Sequence, residues 1–261
     1  MPGLAILFSG ARSRLAEPRA GLAMSPGAGA VLARASSLAA PKAAAGPAHA
    51  GSVAAATAVA LKALEQAVGT LSHPLALADA FHGYFAFKAA HPDDVKKPFL
   101  YFVDYGLPST TRRGWVFDMS LLSIVEGPFT VAHGRGSSPA GAAIPARFSN
   151  ALGSDETSLG LYVARELYAF TGHSGSEPYN ATGMRLDGVS TGFNDNALAR
   201  KVVAHGAPYV TSTKAGRSDG CPAMELARAS RLLPKLANGG MVFLFAPDAR
   251  WMNSDPWVTA N

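Results

Sequence analysis

Cys221 is the only cysteine of this 261-residue sequence, and it lies in the run Ala-Gly-Arg-Ser-Asp-Gly-Cys-Pro-Ala at residues 215–223. A lone cysteine excludes an intrachain disulfide and a four-thiolate metal site. The side chain is therefore either an apolar filler or a reactive thiol. Gly216 and Gly220 bound a short polar loop and Arg217 adds positive charge, so the surroundings favour the reactive thiol.

His205, sixteen residues upstream in Val-Val-Ala-His-Gly, is the candidate base for this thiol. Histidine can take the thiol proton and remain as imidazolium beside the thiolate. The segment Ala223–Leu236 predicts a helix that begins just after Cys221, and its dipole would also favour the anion. The backbone N–H groups of Gly220 and Cys221 are candidate oxyanion donors. Together these residues indicate acyl transfer through a thioester, with the acyl group left open.

A helical pair and a strand-rich segment are predicted to position these residues. Alanine-rich residues 52–69 and the segment Leu75–Ala90 predict two helices, and we interpret the aromatic stripe of the second as core rather than ligand groove. Residues 134–160 are rich in Gly, Ser and Pro and predict a long functional loop. Strands are predicted at Phe99–Tyr105, Gly114–Met119, Leu121–Glu126, Phe129–His133, Gly160–Phe170, Met184–Gly188, Lys201–His205 and Met241–Phe245.

The positive charge of the chain is concentrated near its beginning. The net charge is +5, but residues 1–50 contain five basic residues and one acid, so the rest carries only +1. This distribution argues against a nucleic-acid partner. The Ala-, Gly-, Pro- and Ser-rich composition of residues 1–50 is typical of an export region or of a low-complexity tail, and we favour export. No apolar run is long enough to predict a membrane-spanning helix.

The pair His205-Gly206 followed by Ser218-Asp219-Gly220-Cys221 resembles the H-G-x(n)-S-x-G-C signature of the L,D-transpeptidases, the YkuD superfamily. Residues 216–223 read Gly-Arg-Ser-Asp-Gly-Cys-Pro-Ala, which is similar to the YkuD_2 branch. Further segments that resemble this branch are His133-Gly134 with Ser137, Phe148-Ser149-Asn150, Thr157-Ser158-Leu159-Gly160, Leu186-Asp187-Gly188, Phe193-Asn194-Asp195-Asn196, and Ala207 with Tyr209.

The resemblance implies a mainly β catalytic domain, a YkuD-like β-sandwich or barrel with a few helices. An N-terminal helical segment precedes it, so that the fold is α+β overall. We therefore predict an N-terminal tail or export region at residues 1–50, a helical extension at 51–97, the catalytic domain at 98–250 and a C-terminal tail at 251–261. The extension is interpreted as a cap over the catalytic domain, with a membrane-proximal spacer or an acceptor-side wall as alternatives.

The resemblance also implies a reaction on donor and acceptor stem peptides of peptidoglycan, in the periplasm or cell envelope and without a cofactor. Cys221 would be the nucleophile and His205 the base, with the Gly206 carbonyl orienting the imidazole. Gly220 and Cys221 would supply the oxyanion hole, and carbapenem-type inhibitors would acylate the cysteine. Two alternatives stay open: hydrolysis, as an L,D-carboxypeptidase or endopeptidase, and a catalytically silent peptidoglycan-binding module.

Several residues are expected to contact substrate. Many superfamily members have arginine two residues after the cysteine, where this chain has Ala223. Arg217 is the nearest substitute for binding a substrate carboxylate, unless it pairs with Asp219 or a core carboxylate. Ser218 would donate to the thiolate or shape the turn.

Three more candidates come from the resembling segments. His133 would line the groove, bind substrate through its ring N–H or brace the loop. Tyr209 and Asn150 are also assigned to substrate binding. A metal site built from His133, His173 and His205 is not predicted, because their spacing matches no zinc pattern.

Overall fold

The computed structural model describes residues 47–259, with side chains from residue 51 onward. The tail or export region predicted for residues 1–50 lies outside the described residues, apart from the last four, which begin the first helix. Helix α1 spans Pro47–Val68 and α2 spans Ala76–Ala90. The two predicted helices are therefore present, because alanine-rich sequence with an apolar face favours this structure.

In the described part of the chain ten strands follow, with one further helix before the last strand and another after it. They are β1 (Phe99–Asp104), β2 (Gly114–Asp118), β3 (Ser123–Phe129), β4 (His133–Gly134), β5 (Gly160–Ser174), β6 (Glu177–Gly188), β7 (Val203–Gly206), β8 (Arg217–Ser218), β9 (Ala223–Met224) and β10 (Met241–Phe245). Helix α3 spans Leu226–Leu236 and α4 spans Ala249–Met252. Eight strands form one sheet in the order β3-β2-β1-β10-β5-β6-β7-β9, and β4 pairs with β8. The prediction of a mainly β fold with a few helices is confirmed.

Helices α1 and α2 share the hydrophobic core of the large sheet. Leu64 of α1 and Phe81 of α2 are buried in one cluster with Phe117 and Phe243 of the strands. The rings of Phe81 and Phe117 meet edge to face with centroids 5.4 Å apart. The aromatic stripe of α2 is therefore core, as predicted, because Leu77, Phe81 and Tyr84 are buried.

The hairpin of β5 and β6 is longer than the sequence indicates. Strands were predicted only at Gly160–Phe170 and Met184–Gly188, whereas pairing continues to the register Ser174↔Glu177. In the outer half of this hairpin the residues alternate only between half-buried and exposed. Hydrophobic periodicity reflects full burial of one face, so it is weak where the more protected face is only half-buried. The hairpin projects beyond the core and is available to form the wall of a site.

Helix α3 begins later than predicted. The prediction placed its start at Ala223, but residues 223 and 224 form β9, which pairs in parallel with His205 and Gly206 of β7. Burial of this short strand beside β7 outweighs local helix propensity. The helix begins at Leu226, five residues after Cys221, so the predicted start directly after the cysteine is wrong. Within residues 47–259, no helix has the length and apolar character required to cross a membrane.

Candidate active site

The strand pairs β7–β9 and β4–β8 place the cysteine loop beside the candidate base. His205 lies on β7, and Cys221 lies in the turn between β8 and β9. The Ser218 hydroxyl donates to the Cys221 carbonyl oxygen at 2.7 Å, which closes this turn. Of the two roles expected for Ser218, the contact in the structure is the one that shapes the turn.

His205 and Cys221 line one open cavity of about 630 Å³. Its walls come from the cysteine loop, from β7 and from the projecting end of the β5–β6 hairpin. The remaining lining residues are Arg135, Phe170, Gly172, His173, Ser174, Gly175, Tyr179, Val203, Tyr209, Arg217, Ser218 and Asp219. A cavity of this size accommodates several residues of an extended peptide.

The thiol of Cys221 is half-buried, and the backbone N–H of Val203 donates to its sulfur at 3.5 Å. Burial raises the pKa of this thiol to about 11, with a further contribution from the negative charge of Asp219. The Val203 N–H and the positive charge of Arg200 act in the opposite direction. The neutral thiol is therefore the resting form at neutral pH.

His205 is buried, and its Nδ1 lies 3.0 Å from the carbonyl oxygen of Gly206. A carbonyl oxygen only accepts, so Nδ1 carries the hydrogen and Nε2 keeps its lone pair. Burial lowers the pKa of the imidazole, an effect partly offset by the Gly206 hydrogen bond and the charge of Asp219. Phe170 and Tyr209 flank the ring at centroid distances of 5.5 and 6.4 Å. The result is a neutral, oriented base at physiological pH.

Gly220 gives the cysteine loop a backbone conformation that a side chain would oppose. Its φ is +112°, and a Cβ added there would lie 2.8 Å from the carbonyl oxygen of Glu156. Within residues 47–259, neither the Gly220 N–H nor the Cys221 N–H donates a hydrogen bond. Neither donor is therefore committed to an acceptor among the described residues.

Replacing Gly220 with alanine is expected to lower catalytic turnover at least tenfold, because the loop must move to relieve both strain and contact with Glu156. Gly153→Ala is the matched control: this glycine also has positive φ, +71°, but an added Cβ would meet nothing within 4 Å. Turnover and melting temperature should be measured for both variants. Equal turnover in the two would show that the close approach at Gly220 has no role.

Arg217 faces the cavity with a guanidinium that has no carboxylate partner among residues 47–259. It donates to the Ser109 hydroxyl at 3.2 Å, to the Gly216 carbonyl at 3.3 Å and to the Ala142 carbonyl. Asp219, the alternative partner predicted for it, pairs instead with Arg135 at 3.0 Å. The positive charge of Arg217 therefore remains unneutralised at the cavity wall.

His133 does not line the cavity. The ring is fully buried, with Nδ1 2.8 Å from Arg113 and Nε2 2.8 Å from the Ser138 hydroxyl. Because Arg113 only donates, Nδ1 is the acceptor, and burial next to Arg113 and Arg217 lowers the pKa of the ring to about 3. Of the three roles expected from sequence, these contacts correspond to bracing the loop.

Tyr209 and Asn150, both predicted to bind substrate, lie in different places. Tyr209 lines the cavity, and its hydroxyl is hydrogen-bonded to that of Tyr179. Asn150 lies in a second, smaller cavity of about 250 Å³ and is bonded to Asp195 and Asn196. The structure thus brings Tyr209 to the thiol but not Asn150.

Sequence reasoning missed the hairpin residues of the cavity wall, among them Phe170 and Tyr179. Their rings pack edge to face across the two strands with centroids 6.2 Å apart. The aromatic residues at cross-strand positions of an otherwise polar hairpin are the signal that could have found them.

The model of the YkuD_2 L,D-transpeptidase catalytic domain matches residues 71–245. The chain therefore belongs to this family, as the resemblance of the cysteine and histidine motifs indicated. The match begins within the segment predicted as a helical extension and includes all of α2. No curated protein sequence matches the chain.

Among solved structures, the L,D-transpeptidase of Stackebrandtia nassauensis is 18% identical, with 66% of this chain and 67% of that chain covered and a TM-score of 0.35. The Enterococcus faecium L,D-transpeptidase, solved as a cysteine-to-serine mutant, is 14% identical, with 58% and 50% covered and a TM-score of 0.34. The L,D-transpeptidase LdtMt1 in complex with imipenem is 14% identical, with 57% and 59% covered and a TM-score of 0.34. The chain thus spans about half the length of the Enterococcus faecium chain.

Proposed function

We propose that the protein is a peptidoglycan L,D-transpeptidase that cross-links stem peptides through a thioester on Cys221. The observation that carries the proposal is that one cavity contains the only thiol of the chain and a neutral, oriented imidazole. The unused N–H groups of Gly220 and Cys221 complete the set needed for acyl transfer. Membership of the family supports stem peptides as the substrate class.

In the first half-reaction, Nε2 of His205 takes the thiol proton while the sulfur of Cys221 attacks a stem-peptide carbonyl. The oxygen of that carbonyl becomes negative and is bound by the N–H groups of Gly220 and Cys221. The peptide bond to the terminal D-residue then breaks, and the departing amine takes the proton from His205. A thioester and a released amino acid are the products.

In the second half-reaction, the amine of an acceptor stem attacks the thioester and gives its proton to His205. The carbon–sulfur bond breaks, and the proton returns to the Cys221 sulfur, which restores the thiol. An amide cross-link is formed, so no external energy source or cofactor is required. Since its substrates lie in the bacterial cell envelope, we propose that the protein acts there.

The test is incubation of the protein with defined muropeptides, with Cys221→Ala as the matched control, and mass spectrometry of the products. Cross-linked dimers formed only by the native protein are the expected result. Monomers shortened by one residue would identify a carboxypeptidase, in which water replaces the acceptor amine in the same site. Absence of any product with every stem tested would contradict the enzymatic proposal.

Imipenem provides an independent probe of the nucleophile, because a carbapenem is an acyl donor that needs no acceptor. An adduct of one imipenem on the native protein, absent from Cys221→Ala, is expected in the intact mass spectrum. An adduct that persists in Cys221→Ala would place the nucleophile elsewhere.

A further inference from the structure

Arg200 lies next to Gly220 of the cysteine loop, and its guanidinium donates hydrogen bonds to oxygen atoms of residues 149–158. Nη1 donates to the Ser149 carbonyl at 2.7 Å and to the Ser158 hydroxyl at 3.0 Å. Nη2 donates to the Ser154 hydroxyl at 3.2 Å and to the Glu156 carbonyl at 2.5 Å. The four bonds fix a planar group in one orientation, which a lysine could not reproduce.

These contacts place the guanidinium directly against the residue before the nucleophile. The Glu156 carbonyl oxygen that Arg200 binds is the atom 2.8 Å from the Cβ position of Gly220, and Nη2 of Arg200 is 3.3 Å from that position. Arg200 therefore fixes the Glu156 carbonyl group, which lies against the backbone of Gly220. That backbone carries the proposed oxyanion donors.

The charge of Arg200 is not cancelled by an ion pair. All four acceptors are neutral oxygens, and the Glu156 carboxylate pairs with Arg147 rather than Arg200. The cysteine loop itself carries two charged side chains: Asp219, whose exposed carboxylate pairs with Arg135, and Arg217, which lines the cavity. The charge of Arg200 therefore acts together with the Val203 N–H against the unfavourable effects of burial and Asp219 on a negative sulfur.

We propose that Arg200 is a positioning residue for Cys221: its guanidinium fixes the Glu156 carbonyl beneath Gly220, and its unneutralised charge favours the thiolate as it forms. Cys221 needs this support because His205 is buried and neutral and supplies no positive charge before the proton is transferred. The inference extends the proposed function, on which its catalytic consequence rests. Its effect on the thiol can be measured without any substrate.

The experiment is the rate of Cys221 alkylation by iodoacetamide in the native protein and in Arg200→Met and Arg200→Lys. The chain has one cysteine, so the alkylated fraction reports that thiol alone. Below the thiol pKa the rate follows the thiolate fraction, and Arg200→Met should slow it about tenfold, equivalent to one pKa unit. Arg200→Lys keeps the charge and should restore most of that rate.

The two variants should separate charge from geometry. The lysine of Arg200→Lys cannot make the forked contacts, so kcat for cross-linking or imipenem acylation should stay low in this variant even where alkylation recovers. Arg165→Met is the matched control for loss of a half-buried arginine, because Arg165 pairs with Asp94 and Asp187. It should alkylate at the native rate. Melting temperatures identify any variant that has unfolded.

Alkylation at the native rate in a folded Arg200→Met would overturn the inference, as would equal rates in Arg200→Met and Arg200→Lys. If the native protein makes no product from any stem peptide but alkylation still responds to Arg200, the proposed function fails and the effect of Arg200 on the thiol stands. The two failures are therefore distinguishable.

Discussion

Replacing His205 with alanine is expected to lower kcat/KM for acylation by about 10²–10⁴-fold, the usual contribution of a positioned general base. The thiol cannot ionise by itself at neutral pH, because burial raises its pKa to about 11. Loss of Nε2 therefore removes the proton acceptor on which the attack depends. The rate of adduct formation with imipenem, followed by intact mass, measures this step directly.

Imidazole in solution should partly restore acylation in His205→Ala, since the deletion leaves space next to an open cavity. The same addition should leave Cys221→Ala inactive, which controls for reaction at other groups. His73→Ala is a second control, because this histidine lies outside the cavity and contacts Leu75 and Phe245. Native-rate acylation by a folded His205→Ala would exclude the histidine as base.

The two central residues of the candidate site could be predicted from sequence because they are rare residue types in short motifs, and they line one cavity. A lone cysteine between glycines and a histidine followed by glycine are visible without coordinates. The hydrogen bond from Nδ1 of His205 to the backbone carbonyl of Gly206, which the resemblance implied, is present at 3.0 Å. Such local contacts are set by neighbouring residues and survive differences elsewhere in the fold.

What could not be predicted depends on long-range packing. Arg200 binds carbonyls and hydroxyls of residues 149–158, and backbone acceptors leave no pattern in side-chain types. The end of the β5–β6 hairpin has no fully buried face, only a half-buried one, and so has little hydrophobic alternation. Ala223 was assigned to a helix because local propensity carries no information about the strand β7 beside which it is buried. For Arg200 and Ala223 the partner is distant in sequence.

We expect the Cys221 thiol and the His205 imidazole both to be neutral in the resting protein. Burial raises the pKa of Cys221 and lowers that of His205 from its ordinary value of 6.5. Asp219 raises both pKa values, whereas Arg200 lowers that of the thiol. The order of the two pKa values is therefore the reverse of that in a thiolate–imidazolium pair.

Activity should accordingly be lost as the pH falls through a value below 6.5, where His205 becomes protonated and cannot accept the thiol proton. Between that value and the thiol pKa of about 11, kcat/KM should be nearly constant, because both groups keep the protonation state needed for attack. The rate of imipenem acylation as a function of pH measures this profile. Its acid limb is the titration of His205, and in His205→Ala rescued with a base of different pKa the limb should move to the pKa of that base.

A pH profile alone does not distinguish a neutral pair from an ion pair, since both contain one proton and give the same rate law. The ultraviolet absorbance of the thiolate does distinguish them. The difference between the native protein and Cys221→Ala, which cancels tyrosine absorbance, should show no thiolate between about pH 5 and about pH 8. A thiolate band in that range would contradict the neutral pair and would mean that the cavity stabilises charge separation before substrate binds.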